Sequence, residues 1–411
     1  MSADSGLKKN LAWNTVGMVM YNFAIWALSA IILRKLGPEA GGIYAVASSI
    51  GNTLYAAGLW GMRSFIVSDV EGKYTSGEYF SARVLSVMLS VAVLIPVVLI
   101  GGYSGEQNAV LCAYTVFKGA EALIEVIDCF CQKNFHMEIN AGSMILRSLL
   151  YVTAFAGVLF SGGSLAMAFA GLSVLSLLIF LFFNLRKFRK LEKTDIAVRF
   201  SGSTAGILEA CFPIMVFELL ASLIVAVPRL FYERIGDLGD LGIYTSIYTF
   251  VIFLQLVINV LIYTLAPYMA KAYHGADMKL FRKYLFLLCG GAAGLGLAAE
   301  VMTYLLGRPV ISIVYGAAAA PYYTYLYLGI ISGVTLAFTW IVSQILVILS
   351  HENLQMVCAV ISTAACFVFS KMLVNASDCG RMSLVLILTN IVYITAAFLL
   401  LGIRHGKELH S

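Results

Sequence analysis

Apolar segments of about 20 residues, the length that a helix needs to cross a bilayer, alternate with short polar segments along nearly the whole chain. Hydropathy and helix breakers divide this pattern into twelve predicted membrane-spanning helices. The chain is therefore predicted to be an all-α polytopic membrane protein. The predicted spans are residues 11–33, 43–66, 84–101, 109–131, 143–160, 164–185, 207–231, 241–266, 284–306, 321–349, 354–374 and 382–403.

An internal repeat relates the two halves of this pattern. Gly42-Ile43-Tyr44 recurs as Gly242-Ile243-Tyr244, and each copy leads into the second span of its half. Both halves begin on the same side of the membrane, so the repeat is parallel, with its axis along the membrane normal. The longest polar connection, residues 184–204, separates the halves. We therefore predict two six-helix bundles, residues 1–200 and 201–411, around a central cavity.

The distribution of basic residues predicts the orientation. If the N-terminus is cytoplasmic, the cytoplasmic segments hold 17 Lys and Arg residues and the outer loops hold five. Such an excess is typical of the cytoplasmic side of membrane proteins. Both termini are therefore predicted to be cytoplasmic, and the basic excess indicates no nucleic-acid partner.

Composition and motifs narrow the function classes. The chain is 61% hydrophobic and only 12% charged, which excludes a soluble domain of this size. The eight cysteines show no disulfide framework, and seven of them lie in apolar segments. No phosphate-binding loop, metal-spaced His and Cys cluster or nucleophile motif is present, so neither an enzymatic activity nor a cofactor is predicted.

Polar side chains recur at helical spacing on the second span of each half. In the first half the stripe includes Asn52, Tyr55 and Arg63, and in the second half it includes Tyr244, Tyr248, Gln255 and Asn259. A polar stripe on a membrane helix faces protein or water rather than lipid. It indicates either hydrogen bonds between helices or a cavity wall that binds sugars.

The fourth span carries the most unusual pattern. Lys118, Glu121, Glu125 and Asp128 fall within an arc of about 80° on one helix face. Each charge would cost about 2.5–3.5 kcal/mol at the centre of a bilayer, so this face is predicted to avoid lipid.

Basic residues on neighbouring spans are the expected partners of that face. Arg63 and Arg147 lie at about the depth of Glu125 and Asp128, and Glu218 is a further carboxylate in the seventh span. Two interpretations stay open. The charges form buried ion pairs that hold the first bundle together, or they line a wet cavity that binds an anionic headgroup and a coupling ion. Span ten, the counterpart in the second half, has no charge, which favours the cavity.

Four stretches resemble the polysaccharide-synthesis flippases of the multidrug/oligosaccharidyl-lipid/polysaccharide exporter superfamily. They are RKLGPEAGGIY (residues 34–44), FCQKNFHMEINAGSMILRSLL (130–150), RIGDLGDLGIY (234–244) and GRPVISIVYGAAAAPYYTYLYLGI (307–330). The resemblance implies a transporter in the bacterial inner membrane. Such a transporter flips a polyprenyl-pyrophosphate-linked oligosaccharide by alternating access, driven by H⁺ or Na⁺.

The resemblance also implies partners and residue roles. The partners would be the lipid-linked oligosaccharide, membrane lipids and the polysaccharide polymerase machinery. Arg63, Arg147 and Lys118 would hold the pyrophosphate. The coupling ion would be bound by the carboxylates Glu121, Glu125, Asp128 and Glu218. The sugars would be bound by Asn52, Tyr55, Tyr244, Tyr248, Gln255 and Asn259.

Two alternatives remain at this stage. A cation-coupled multidrug antiporter of the same superfamily would use the acidic residues of span four to bind a cationic drug, although the neighbouring basic residues compensate them. A membrane-embedded glycan polymerase or ligase usually needs a large outer loop, and the predicted outer loops are short.

Overall fold

The computed structural model describes residues 2–69, 72–192, 198–349 and 351–410, and these residues are almost entirely helical. The prediction of an all-α polytopic membrane protein is confirmed. The helices are α1 (Ser2–Leu36), α2 (Pro38–Leu59), α3 (Met62–Ser68), α4 (Ser76–Ile100), α5 (Gly105–Lys133), α6 (Met137–Phe160), α7 (Leu165–Ile179), α8 (Leu185–Glu192), α9 (Gly202–Ile235), α10 (Leu238–His274), α11 (Met278–Tyr315), α12 (Tyr325–Ile348), α13 (Glu352–Leu373) and α14 (Arg381–His410). A π-helical turn (Phe180–Asn184) joins α7 to α8, and a 3₁₀ segment (Ala317–Thr324) precedes α12.

Ten helical segments of the described chain are long and apolar enough to cross a membrane. The two predicted spans missing from that set correspond to α2 and α5, which carry the polar stripe and the charged face. Both are instead covered by other helices. Of the 22 residues of α2 and the 29 residues of α5, the structure buries more than half in each. A helix enclosed by protein need not be apolar all round.

Side chains cap several of these helices at the membrane edges. Thr75 and Glu78 form a reciprocal capping box at the start of α4, and Ser104 and Gln107 form another at the start of α5. Each box satisfies backbone N–H groups that have no partner within the helix. The two boxes fix where α4 and α5 begin.

The second predicted span is not one continuous helix. Trp60 and Gly61 both adopt left-handed backbone conformations, with φ of 53° and 61°, and they end α2 before α3 begins. The Trp60 indole N–H donates to the Leu208 carbonyl at 2.8 Å, which ties the break to α9. Arg63 therefore lies on α3, beyond the end of the helix α2 that carries the rest of the stripe.

The chain divides into two compact units, the first extending to Ser222 and the second beginning at Leu223. The division falls inside α9, while the boundary predicted from the sequence lies just before that helix. In the first unit, an aromatic core around Tyr79, Phe130 and Phe188 packs α4, α5 and α8 together. The parallel repeat and the central cavity stay predictions.

Candidate functional site

Helix α5 presents its charged face to the interior of the first unit. It packs against α2, α3, α4, α6 and α7. Glu121, Glu125 and Asp128 are all buried, with at most 8% of each residue exposed. Lipid therefore does not contact the three carboxylates, and protein groups must compensate their charge.

Glu121 joins four helices. Its carboxylate accepts hydrogen bonds from Arg147 Nη1 of α6 at 2.9 Å, from the Tyr151 hydroxyl at 2.5 Å and from the Tyr21 hydroxyl of α1. Ser176 of α7 lies 3.5 Å away. A carboxylate with this many donors is well satisfied. Sequence reasoning missed Tyr21 and Tyr151, which are remote from Glu121 in the chain. The available signal for Tyr151 is the spacing of Asn140, Ser143, Arg147 and Tyr151 on one face of α6.

Arg147 bridges Glu121 to Asp128. Its Nη2 lies 3.3 Å from Asp128 Oδ2, and its guanidinium stacks over the Tyr21 ring at 5.0 Å. In the amide orientation that satisfies both of its ends, the Asn140 nitrogen donates to the same Asp128 oxygen at 3.1 Å. The Arg147 side chain is only 5% exposed. Its charge is therefore engaged within the bundle.

Glu125 is held by two arginines. Arg83 Nη2 donates to Oε2 at 2.7 Å, and Arg63 Nε donates to Oε1 at 2.8 Å. Arg83 also donates to the Gly58 carbonyl at 3.0 Å and is completely buried. The Cys129 thiol donates to Glu125 as well, at 3.2 Å.

Arg83 is the principal residue that sequence reasoning missed. Its position next to the predicted start of span three suggested a cytoplasmic residue, whereas the structure places it in the second turn of α4. The available signal is the spacing of Tyr79, Arg83, Ser86 and Ser90, which puts four polar groups on one face of an apolar helix.

A polar strip on α2, α3 and α5 stays accessible at the surface of the first unit. We define it by Asn52, Tyr55, Arg63, Lys118 and Gln132. The Arg63 side chain is 44% exposed and donates to Gln132 at 2.8 Å, and Asn52 is exposed. The strip joins the sequence-predicted stripe of α2 to the charged face of α5.

Lys118 is the least compensated cation of this strip. Its ammonium lies 4.1 Å from the centroid of the Tyr55 ring, a cation–π contact. Unlike Arg63, Arg83 and Arg147, it forms no ion pair or hydrogen bond with the part of the chain that the structure describes. The nearby Glu121 carboxylate is bound directly by Arg147, so the half-buried Lys118 ammonium can bind an anion from outside the protein.

Glu218 joins the same electrostatic group from α9. The backbone N–H of Gly61 donates to its carboxylate, and Arg63 and Arg83 are close enough to interact with it. The charges of this group sum to zero. Four cations (Arg63, Arg83, Lys118 and Arg147) accompany four carboxylates (Glu121, Glu125, Asp128 and Glu218) in the first unit.

The predicted sugar-binding stripe of the second unit is partly occupied by contacts between helices. The Tyr244 hydroxyl lies 2.7 Å from Ser383 Oγ and the Tyr248 hydroxyl 3.1 Å from Ser332 Oγ, and both tyrosines are buried. Gln255 and Asn259 are half-buried on the same helix, α10. For the two tyrosines, the geometry matches the interpretation as hydrogen bonds between helices.

Comparisons with known proteins identify a family that matches most of the chain. Residues 7–273 match the model of a family described as polysaccharide biosynthesis protein. The chain is similar to the capsular polysaccharide biosynthesis protein CapF of Staphylococcus aureus. The two are 24% identical over 316 residues, which are 75% of this chain and 77% of CapF.

Two solved structures resemble the fold over nearly the whole chain. An inward-facing multidrug resistance MATE family transporter of the MOP superfamily matches with a TM-score of 0.72 at 15% identity, covering 97% of this chain and 99% of the transporter. The lipid II flippase MurJ in an inward closed conformation matches with a TM-score of 0.66 at 12% identity, covering 95% and 87%. At these identities the likeness concerns the fold.

Proposed function

The chain belongs to the polysaccharide biosynthesis protein family, and on that premise we propose that it flips a polyprenyl-pyrophosphate-linked oligosaccharide across the membrane. The direction would be from the cytoplasmic to the outer leaflet of a bacterial plasma membrane, for the synthesis of a cell-surface polysaccharide. Movement would follow alternating access, as is common for transporters built from repeats. Both termini would be cytoplasmic.

The polar strip is the observation that carries this proposal. Arg63 is exposed and Lys118 is half-buried, and Lys118 forms no direct ion pair with a carboxylate of the described residues. A pyrophosphate is a compact anion that accepts several charge-assisted hydrogen bonds. Arg147, predicted from the sequence to share this role, would instead keep Glu121 and Asp128 neutralised.

Sugar contacts would come from the uncharged members of the strip. The ring of Tyr55 and the exposed amide of Asn52 offer an apolar face and hydrogen bonds, which pyranose rings require. In the second unit, the half-buried Gln255 and Asn259 are the candidates for sugar contacts. Tyr244 and Tyr248 would support that wall through their hydroxyl contacts with neighbouring helices.

Asp128 is the carboxylate that we propose for ion coupling. Glu121 and Glu125 each have donors at 2.9 Å or closer, whereas the Arg147 bond to Asp128 measures 3.3 Å. Because its charge-assisted hydrogen bond is longer and weaker, Asp128 is the easiest of the three carboxylates to neutralise. A proton or Na⁺ would act there, and Glu218 is a second candidate at the edge of the cluster.

A multidrug antiporter is the second candidate, because a transporter of that class shares the fold. The composition of the strip disfavours it. Arg63 and Lys118 are the charged members of the strip, and they would repel a cationic drug, while the three carboxylates of α5 are buried. An antiporter of this chain should raise the drug resistance of an over-expressing strain, and a flippase should not.

The decisive experiment measures flipping of a fluorescent polyprenyl-pyrophosphate oligosaccharide by the purified protein in liposomes. We expect Lys118→Gln to lower the flipping rate at least about tenfold, because it removes a charge-assisted contact to the pyrophosphate. Lys118→Arg keeps the charge and should retain most of the rate. Lys371→Gln removes an exposed lysine of α13 and should behave as the wild type.

Equal flipping rates for Lys118→Gln and the wild type would contradict the proposal that the strip binds the pyrophosphate. No flipping by the wild type, together with drug export by the same preparation, would favour the antiporter.

A further inference from the structure

A row of exposed side chains in the first unit runs from the apolar helix α7 into the basic helix α8. We call it the α7–α8 row and define it by Val174, Leu178, Phe182, Arg186 and Lys190, which follow one another at steps of four and are all exposed. Helical residues four apart lie on the same face. The row therefore changes from three apolar side chains to two basic ones along one surface.

The buried side of the same segment fixes this arrangement. Phe180, Asn184 and Phe188 also follow at steps of four, and each is at most 6% exposed. Asn184 lies in the π-helical turn, and its Nδ2 donates to Ser143 Oγ of α6 at 2.9 Å. The Phe188 ring meets the Phe130 ring of α5 edge-on, with the two centroids 5.2 Å apart. Rotation of α8 about its axis would break these contacts, so its basic residues are held on the outer side.

Helix α8 concentrates positive charge on that outer side. Arg186, Lys187, Arg189 and Lys190 are all exposed, whereas Phe188 between them is buried. None of the four cations forms an ion pair or a hydrogen bond with the described residues. Positive charge that the chain does not neutralise attracts anions from its surroundings.

Two of these cations lie over aromatic rings that precede them by one helical turn. The Arg186 guanidinium is 5.3 Å from the centroid of the Phe182 ring, and the Lys187 ammonium is 6.0 Å from that of Phe183. Phe182 is 58% exposed and adjoins the exposed Leu178 on the row. A long basic side chain that lies along apolar surface and keeps its charge at the edge is typical of the boundary between lipid tails and headgroups. The Arg186 guanidinium is thus held at the level of a lipid phosphate.

The apolar part of the row covers most of one bilayer leaflet. Val174 and Phe182 are eight residues apart, which corresponds to about 12 Å along a helix, and half of the hydrocarbon core is about 15 Å thick. The whole row lies within Leu165–Leu191, one of the segments that are long and apolar enough to cross a membrane. A lipid tail can therefore lie along the row while its phosphate meets the cations. A soluble acidic partner could reach Lys190 but would not cover the membrane-embedded ring of Phe182.

We propose that the α7–α8 row and the neighbouring Arg189 bind an anionic glycerophospholipid such as phosphatidylglycerol. Its tail would pack against Leu178 and Phe182, and Arg186, Arg189 and Lys190 would bind its phosphate. The distribution of Lys and Arg predicts that α8 is cytoplasmic, so the lipid would belong to the cytoplasmic leaflet. The row shares no residue with the polar strip, so failure of the proposed transport function would leave this lipid site in place.

The test measures which lipid lies next to Phe182 in the full-length protein in liposomes. Phe182→Trp keeps an aromatic ring on the row and adds a fluorophore whose emission a neighbouring brominated lipid quenches. The wild type, measured in parallel, corrects for the four native tryptophans. We expect brominated phosphatidylglycerol to be preferred over brominated phosphatidylcholine at least about fivefold, which is the effect of one cation near an anionic headgroup.

Neutral side chains in α8 should abolish this preference. In the Phe182→Trp background, the combined changes Arg186→Gln, Arg189→Gln and Lys190→Gln remove the cations that would bind the phosphate. The ratio of the two association constants should then fall to about one, because the apolar part of the row does not distinguish the two lipids. A melting temperature within a few degrees of the wild type would show that the variant folds.

A matched control removes the same charge elsewhere. Lys279→Gln, Arg282→Gln and Lys283→Gln, combined in the Phe182→Trp background, neutralise three exposed cations at the start of α11. The distribution of Lys and Arg predicts that they lie on the same side of the membrane as α8. Because the quenching reports only on lipids next to the probe, the preference for phosphatidylglycerol should stay as it is in Phe182→Trp alone.

Three results would overturn this assignment. Equal quenching by the two brominated lipids in Phe182→Trp would show that the row does not select an anionic lipid. An equal loss of preference in the α8 and α11 variants would assign the effect to the total positive charge of that side. Displacement of brominated phosphatidylglycerol by a small mole fraction of polyprenyl pyrophosphate would assign the row to the transported lipid instead.

Discussion

The charge of Arg147 is expected to stabilise the first unit. Arg147 lies 2.9 Å from Glu121 and 3.3 Å from Asp128, and all three side chains are at most 5% exposed. Arg147→Met keeps much of the volume but leaves two buried carboxylates without their cation. Breaking a buried ion pair costs about 3–5 kcal/mol. We expect a loss at the lower end of this range, about 3 kcal/mol, because Tyr21 and Tyr151 still donate to Glu121.

The same reasoning predicts that removing all three charges restores stability. Replacing a whole buried ion pair by neutral groups of similar volume is often neutral or even stabilising. The triple variant Arg147→Met, Glu121→Gln, Asp128→Asn should therefore recover most of the loss of the single variant. It should still fail to couple transport to an ion gradient if Asp128 carries that role.

The assay is the apparent melting temperature of the purified protein in detergent. For a folding unit of about 200 residues, 1 kcal/mol corresponds to about 2–4 °C, so Arg147→Met should lower the melting temperature by about 6 °C or more. Arg63→Met is the matched control. Arg63 is 44% exposed and Glu125 keeps Arg83, so the loss should be small.

Two results would refute this account. An unchanged melting temperature of Arg147→Met would mean that the network contributes nothing to stability. A triple variant as unstable as the single variant would mean that packing, and not charge, sets the cost.

Three further substitutions in the first unit have predictable effects on stability. Arg83→Lys should lower the melting temperature, because an ammonium cannot reproduce the planar fork that donates to Glu125 and to a backbone carbonyl at once. Gly61→Ala should cost about 1–3 kcal/mol in the same assay, since its φ is 61° and the new Cβ would lie 2.5 Å from Ile214 Cγ2. Burial acts to raise the pKa of Asp69, but two backbone N–H groups and a tyrosine hydroxyl donate to it and lower the pKa below 3.8. The charged Asp69 therefore stabilises the fold at neutral pH, and this contribution is lost as the pH falls through the lowered pKa. Asp69→Asn should lower the melting temperature at pH 7. The difference in melting temperature between this variant and the wild type should shrink below about pH 3.8.

Much of the architecture follows from local patterns in the sequence. Apolar length and the 3.6-residue period predict the long helices and the single charged face of α5. Both properties depend only on neighbouring residues of one segment, so they can be predicted without knowledge of the fold. The carboxylates Glu121, Glu125 and Asp128 could be chosen in the same way, since an ionisable group within an apolar segment is conspicuous.

Other features depend on residues that are distant in the chain. The break at Trp60 and Gly61 is set by packing against α9, so span two was wrongly predicted to be continuous. Arg83 lies at the edge of its apolar segment, where composition alone cannot separate a cytoplasmic arginine from a buried one.

The sequence by itself thus determined that the chain is a bundle of membrane helices with one charged face on α5, because both conclusions rest on local hydrophobicity and helical period. Only the tertiary structure decided which of these charges form ion pairs with one another. It pairs Arg147 and Arg83 with buried carboxylates and leaves Lys118 over the ring of Tyr55. Ion pairing depends on distances of a few ångströms between separate helices, and no spacing along one helix encodes such distances.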